Sequence, residues 1–259
     1  MATYNKRGYK APKEKVEKAE VVEDVQIEEK DSTTAGVFSK LDQGASRTEE
    51  WVARNQKYII GFLAVAALVT VAYLLYQKFV AEPRETEAAE EMFIAQQNFQ
   101  KAVDGASPDS LFNLALNGSE GKFGFLKIAD EYSGTDAANL AHYYAGISFL
   151  NTGKYAEAIE HLEKFKSEDE ILSTLAQGAI GDAFAQKNQP AEALEYYLKA
   201  AGMNENEFTT PRFLLKAGQA ELVLGKKADA LKHFTEIKEK YPQAPESRDI
   251  DALIGLSQG

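Results

Sequence analysis

The chain has 259 residues, a formal net charge of −11 and a pI near 4.9. That acidity argues against a protein built around nucleic acid, whose phosphates call for a basic surface. The absence of cysteine excludes disulfides, thiol nucleophiles, cysteine–zinc sites and a lipid-modified N-terminal cysteine.

The charge is unevenly spread. Residues 1–57 hold eleven Lys/Arg and eleven Asp/Glu, whereas residues 79–259 hold seventeen and twenty-nine. Residues 1–35 are dense in charge and poor in large apolar side chains. They cannot bury enough apolar surface to offset chain entropy, and are expected to be disordered. Residues 36–57 differ. Val37, Phe38, Leu41, Ala45, Trp51 and Val52 read as a broken amphipathic helix lying along a membrane surface. The basic start, Lys6 to Lys18, could touch anionic lipid, a ribosome or a membrane partner; the alternative is a solvated tail.

Residues 58–80 read as a transmembrane helix. Ile59 to Tyr76 carry no formal charge. At 1.5 Å per residue such a run approaches the roughly 30 Å of a hydrocarbon core. Trp51 and Tyr58 precede it, and Tyr73, Tyr76 and Phe79 close it, as an aromatic belt would. The run starts too late for a conventional cleaved signal. It also lacks the polar face of a soluble core helix. Arg47, Arg54 and Lys57 on one flank outnumber Lys78 and Arg84 on the other, which favours the N-terminus inside and the body outside.

Beyond the span, residues 83–135 read as a degenerate leading helical hairpin, with residues 107–122 loop around at most a short helical turn. Residues 136–244 then repeat. Gly146, Gly181 and Gly218 align. Each is followed by a turn residue (Gly153, Asn188, Gly225), an alanine (Ala158, Ala193, Ala230) and a large residue (Leu162, Tyr197, Phe234). Small residues placed where two antiparallel helices approach, with a turn suited to Gly or Asn between them, describe a helical hairpin. A single hairpin cannot bury its own apolar face, so neighbours must stack. The pattern resembles the tetratricopeptide repeat, including Pro242 after the third copy. Phe165 and Ile237 stand where that family usually places a small residue. Residues 245–259, with Ile250, Leu253, Ile254 and Leu256, read as a closing helix. The fold expected is all-α: one N-terminal transmembrane helix followed by a tetratricopeptide-type helical-hairpin solenoid.

Nothing in the sequence points to catalysis or a cofactor. His161 and His233 occupy one repeat position and read as surface helix residues. No HExxH pair is present, and "GSEGKFG" lacks P-loop spacing and a Ser/Thr after Lys122. Binding is expected instead on a concave face lined by the first helix of each hairpin. Spacing assigns to it Leu140, Tyr143, Ile147 and Leu150 in the first repeat. Leu175, Asp182 and Gln186 follow in the second, and Arg212, Leu215, Gln219, Leu222 and Val223 in the third. An apolar groove there would suit an amphipathic helix or an unfolded apolar segment, unless the flanking helices already fill it.

The stretch "FLKIADEYSGTDAANLAHYYAGISFLNTGKYAEAIEHLEKF", following a basic tail and a single span, resembles the YfgM-type ancillary subunit of the Sec translocon. The resemblance covers roughly residues 50–259 and is strongest from Phe123 to Phe165. It implies a bacterial inner-membrane protein with a periplasmic repeat domain. It also implies Sec translocon subunits, a membrane-anchored prolyl-isomerase-like chaperone and emerging secretory chains as partners. The competing reading is a structural scaffold that holds a fixed membrane complex through one folded partner. A third is an adaptor of inverted topology.

Overall fold

A computed structural model of the chain describes residues 33–105 and 108–259. The charged tail lies, up to residue 32, outside the described residues. The described residues divide into two units, one ending at Val69 and the other running from Thr70 to Gly259. The first helix, α1, runs from Thr33 to Tyr76. It is unbroken across 36–57, where the sequence reads as a separate, broken helix. The stretch contains no proline, and an isolated glycine inside a helix costs only about 1 kcal/mol. From Glu49 the helical backbone continues through a π-helical turn, Gln77–Ala81, to Val103. Its apolar window is unburied and is long and apolar enough to cross a membrane.

Within the second unit, α2 (Glu82–Val103) packs against α3 (Pro108–Asn117), α4 (Phe125–Glu131) and α5 (Asp136–Asn151). A two-residue antiparallel ladder joins β1 (Gly118–Ser119) to β2 (Lys122–Phe123). It is tied to α2 by the Lys122–Glu91 ion pair at 2.6 Å and by Asn98 Nδ2 donating to Ser119 Oγ at 2.8 Å. The leading segment is therefore more than a loop between two helices. Pro108 sets the backbone angle of a first helical turn, and Phe112, Ala115 and Leu116, all buried, fall on one helical face. The turn after Tyr132, with Gly134 at φ 91°, separates α4 from α5, which the sequence reads as running together.

Three hairpins follow: α5 with α6 (Tyr155–Lys164), α7 (Glu170–Gln186) with α8 (Pro190–Met203), and α9 (Thr210–Val223) with α10 (Lys227–Lys240). Each first helix ends the same way. Gly153, Asn188 and Gly225 adopt φ of 77°, 57° and 73°. Paired backbone bonds close the turn, as where Lys154 N donates to Phe149 O and Gly153 N to Leu150 O, at 2.9 and 3.3 Å. This is the Schellman closure, which satisfies carbonyls the helix leaves open. Past each turn the second helix folds back so that its large residue meets the aligned glycine. A Cβ on Gly146, Gly181 or Gly218 would fall 2.4–2.6 Å from Leu162, Tyr197 or Phe234. A short 3₁₀ turn, Pro245–Ser247, leads into α11 (Ile250–Gln258), which packs on α10.

The buried side chains form two clusters. One draws on α2 to α7, from Ala88 to Ala183, and the other on α8 to α11, from Ala193 to Ile250. Phe184 packs against both.

Candidate functional site

The repeat register brings α5, α7 and α9 forward as the first helices of their hairpins, and the expected binding residues divide into two groups. Leu140, Tyr143, Ile147 and Leu150 are half-buried against the first cluster; Leu175, Leu215 and Leu222 are half-buried against the second. Much of the apolar surface expected in an open groove thus already contributes to packing. Gln186, Arg212 and Gln219 are exposed, and Val223 is 73% exposed.

The Tyr143 ring lies 5.2 Å from Phe165 and 5.8 Å from Tyr144, centroid to centroid. Burial pushes its hydroxyl above the ordinary phenol range, the neighbouring Tyr144 adds to this, and the Arg212 guanidinium opposes it.

Asp182 is held from two sides. Tyr197 Oη donates to its Oδ1 at 2.8 Å, and Lys216 Nζ forms an ion pair with the same oxygen at 2.5 Å. Burial, followed by the Asp182 charge and the hydrogen bond, holds the Tyr197 hydroxyl far above its ordinary value. The phenol therefore stays a donor. This network fixes α9 against α7 and α8.

Beside it opens a cavity of about 360 Å³ between the second hairpin and α9. It is lined by Ala185, Asn188, Pro190, Ala193 and Tyr197 on one side and by Lys216, Gln219, Ala220 and Val223 on the other. Its lining is mostly apolar side chain with a few convergent polar groups, the make-up of a binding groove. Of the concave-face residues expected from spacing, Gln219 and Val223 line it. Leu140, Tyr143, Ile147, Leu150, Asp182, Gln186, Arg212, Leu215 and Leu222 do not. Spacing misses Tyr197 and Lys216. A signal for Tyr197 was present: it occupies the position filled by Leu162 and Phe234 in the other copies, and a buried phenol needs a partner.

His161 and His233 are more covered than the surface placement their spacing suggests. His142 and His161 are half-buried, with Nδ1 atoms 3.0 Å apart. Burial lowers both; the charge of Lys164 also lowers His142, while His142 and then Lys164 bring His161 to about 4. They line a second cleft with Leu126, Ala129, Asp130, Ser133 and Lys164. His233 is half-buried too, its Nδ1 2.8 Å from an oxygen of the buried Glu221. A position that looks outward on a single helix becomes half-covered once the first helix of its own hairpin packs beside it, as α5 does against His161 and α9 against His233.

Two family models match the chain, both described as tetratricopeptide repeat, over residues 140–169 and 178–245. No curated protein sequence matches it. The body carries tetratricopeptide repeats, a protein–protein interaction module.

Proposed function

We propose that the chain is a membrane-anchored, non-enzymatic binding protein that engages protein partners or emerging secretory chains at the Sec translocon, as an envelope chaperone or accessory subunit. The observation that carries this reading is a tetratricopeptide stack with an open, mostly apolar groove beside Gln219 and Val223, on a chain whose long apolar helix could cross a membrane. The resemblance of Phe123 to Phe165 to the YfgM-type subunit supplies the translocon and the membrane-anchored chaperone as partners. In this reading the N-terminus is cytoplasmic, the repeats are periplasmic, and the span of residues 58–80 contacts lipid of the bacterial inner membrane. A mixed apolar and polar groove suits an extended or helical segment presented side-on.

Photo-crosslinkers placed at Gln219 and Val223 of the membrane-embedded chain test it. Capture of translocon subunits or nascent secretory chains is expected, and capture of neither overturns the reading.

A second reading, a scaffold for one folded partner, is favoured by the packing of Leu140, Ile147 and Leu150 into the core. That packing leaves less adaptable apolar surface than a general holdase uses. It predicts one stoichiometric partner and no suppression of aggregation of unfolded clients. Protease treatment of intact spheroplasts decides the orientation, because a protected body means inverted topology.

A further inference from the structure

The three histidines of the chain are not equivalent. His233 is engaged by a carboxylate. His142, on α5, and His161, on α6, instead turn the same ring nitrogen toward each other, Nδ1 to Nδ1, at 3.0 Å. Two imidazoles in this position can share one proton, or both can turn a lone pair on a metal ion. Imidazole binds such ions with metal–nitrogen distances of about 2.0–2.1 Å. An edge of 3.0 Å between two such nitrogens subtends an angle of roughly 90–100° at the metal. That is a cis pair of a tetragonal or square-planar site and is tighter than a tetrahedral edge. Tetragonal nitrogen and oxygen sets select divalent copper or nickel, and copper binds most strongly in the first-row series.

The surroundings suit an open site. The pair lies on a cleft of about 450 Å³ that also carries the Asp130 carboxylate and the Ser133 hydroxyl. That space accommodates coordinated water. Lys164, the cation on this cleft, has its ammonium 2.8 Å from Glu160 Oε1, which tempers its repulsion of an incoming ion. No third His, Cys, Asp or Glu completes a set of three among the described residues. The two imidazoles are therefore the protein ligands, and the remaining positions belong to water.

We propose that His142 and His161 form a two-histidine site for a divalent copper or nickel ion, stapling α5 to α6 in the first repeat. The site is independent of any protein partner of the groove.

The test uses the full chain in detergent micelles at neutral pH, with copper(II) as probe. Calorimetric titration should show one ion bound per chain. His142→Gln and His161→Gln should each weaken binding by about tenfold or more, while His233→Gln should leave it unchanged. Electron paramagnetic resonance of the wild-type copper complex should report two equivalent imidazole nitrogens. This reading does not depend on how the variants fold. A spectrum with one imidazole or none, or binding that survives both Gln variants, overturns the proposal. So does zinc binding as tight as copper, since it removes the argument from the angle.

Discussion

At Gly178 an added Cβ would sit 1.9 Å from Cε1 of Phe213. This glycine lies outside the three aligned positions, and it admits an aromatic ring of α9 into the side of α7. Gly178→Ala is expected to destabilise the body by about 1–3 kcal/mol, the usual cost of overpacking a filled core. Gly202 is the opposite case. It is exposed in the last turn of α8 with nothing within 4 Å of an added Cβ, so Gly202→Ala should be neutral or stabilising by up to about 1 kcal/mol. Chemical denaturation followed by circular dichroism measures both, and equal effects would contradict the packing described. His161 makes a third residue-scale prediction, for the metal-free chain. Its folded-state value of about 4 lies below the ordinary 6.5, so between these values the unfolded chain binds more protons. Stability is then full above pH 6.5 and declines as pH falls towards 4. His161→Gln should flatten that part of the profile, and an unchanged slope would assign it to His142, also lowered by burial, or to carboxylates elsewhere. The aligned glycines were legible because a small residue recurring in register has one geometric reason. Gly178 and the histidine pair were not, because each depends on a neighbouring helix that periodicity within its own helix does not describe.

Among the elements, α2 does more than lead into the repeats. Glu85 accepts from Asp136 N and Ala137 N, at 2.6 and 2.8 Å, and so caps α5 from another helix. Thr135 Oγ1 adds a local cap by accepting from Ala138 N at 3.0 Å. One residue earlier, Arg84 donates to the Glu131 carbonyl at the end of α4, at 2.7 Å. The first turn of α2 therefore clamps the corner between α4 and α5, placing an anion at a helix N-terminus and a cation at a C-terminus, where helix dipoles favour them. Removing a capping acceptor typically costs about 0.5–2 kcal/mol. Glu85→Ala is expected to fall in that range, with Glu85→Gln retaining part of the effect through its single oxygen. The denaturation midpoint reads both, and a midpoint unmoved by Glu85→Ala would mean water replaces the carboxylate at no loss. Such a clamp is hidden from a sequence reader because Glu85 and Asp136 are distant in the chain. The helix α3 was within reach: Pro108 precedes apolar residues at helical spacing in Phe112, Ala115 and Leu116. The glycine-rich run after Asn117, with Gly118, Glu120 and Gly121 at positive φ, drew the whole segment towards a loop reading.

On the scale of the whole body, a stack in which each hairpin touches chiefly its neighbours has stability that is close to a sum of local terms. Three hairpins and a closing helix were legible because stacking follows from the repeat itself. The division of the core into two clusters was not, since it depends on how much of each helix its neighbours cover. The clusters meet around Phe184 and where Phe213 lies against Gly178. Phe184 stacked on Tyr196 and Tyr197 seated on Gly181 also bridge that junction, so a lesion in one cluster should fade with distance and be felt least at the far end of the other. Phe234 is fully buried at the centre of the second cluster, against Gly218. Truncating such a ring costs about 3–5 kcal/mol, enough to open a sub-global unit while the rest stays folded. Hydrogen exchange of Phe234→Ala in the full chain should therefore show lost protection across α8 to α11, with α2 to α6 close to wild type. The reciprocal variant, Phe125→Ala, removes a fully buried ring from the first cluster and should reverse the pattern. Even loss of protection from α2 to α11 in either variant would make the body one cooperative unit. In the predicted case the cavity between the second hairpin and α9 lies beside the seam of two separately stable units. A ligand held there would touch both, and its binding should raise the protection of α9 and α10 more than that of α5 and α6.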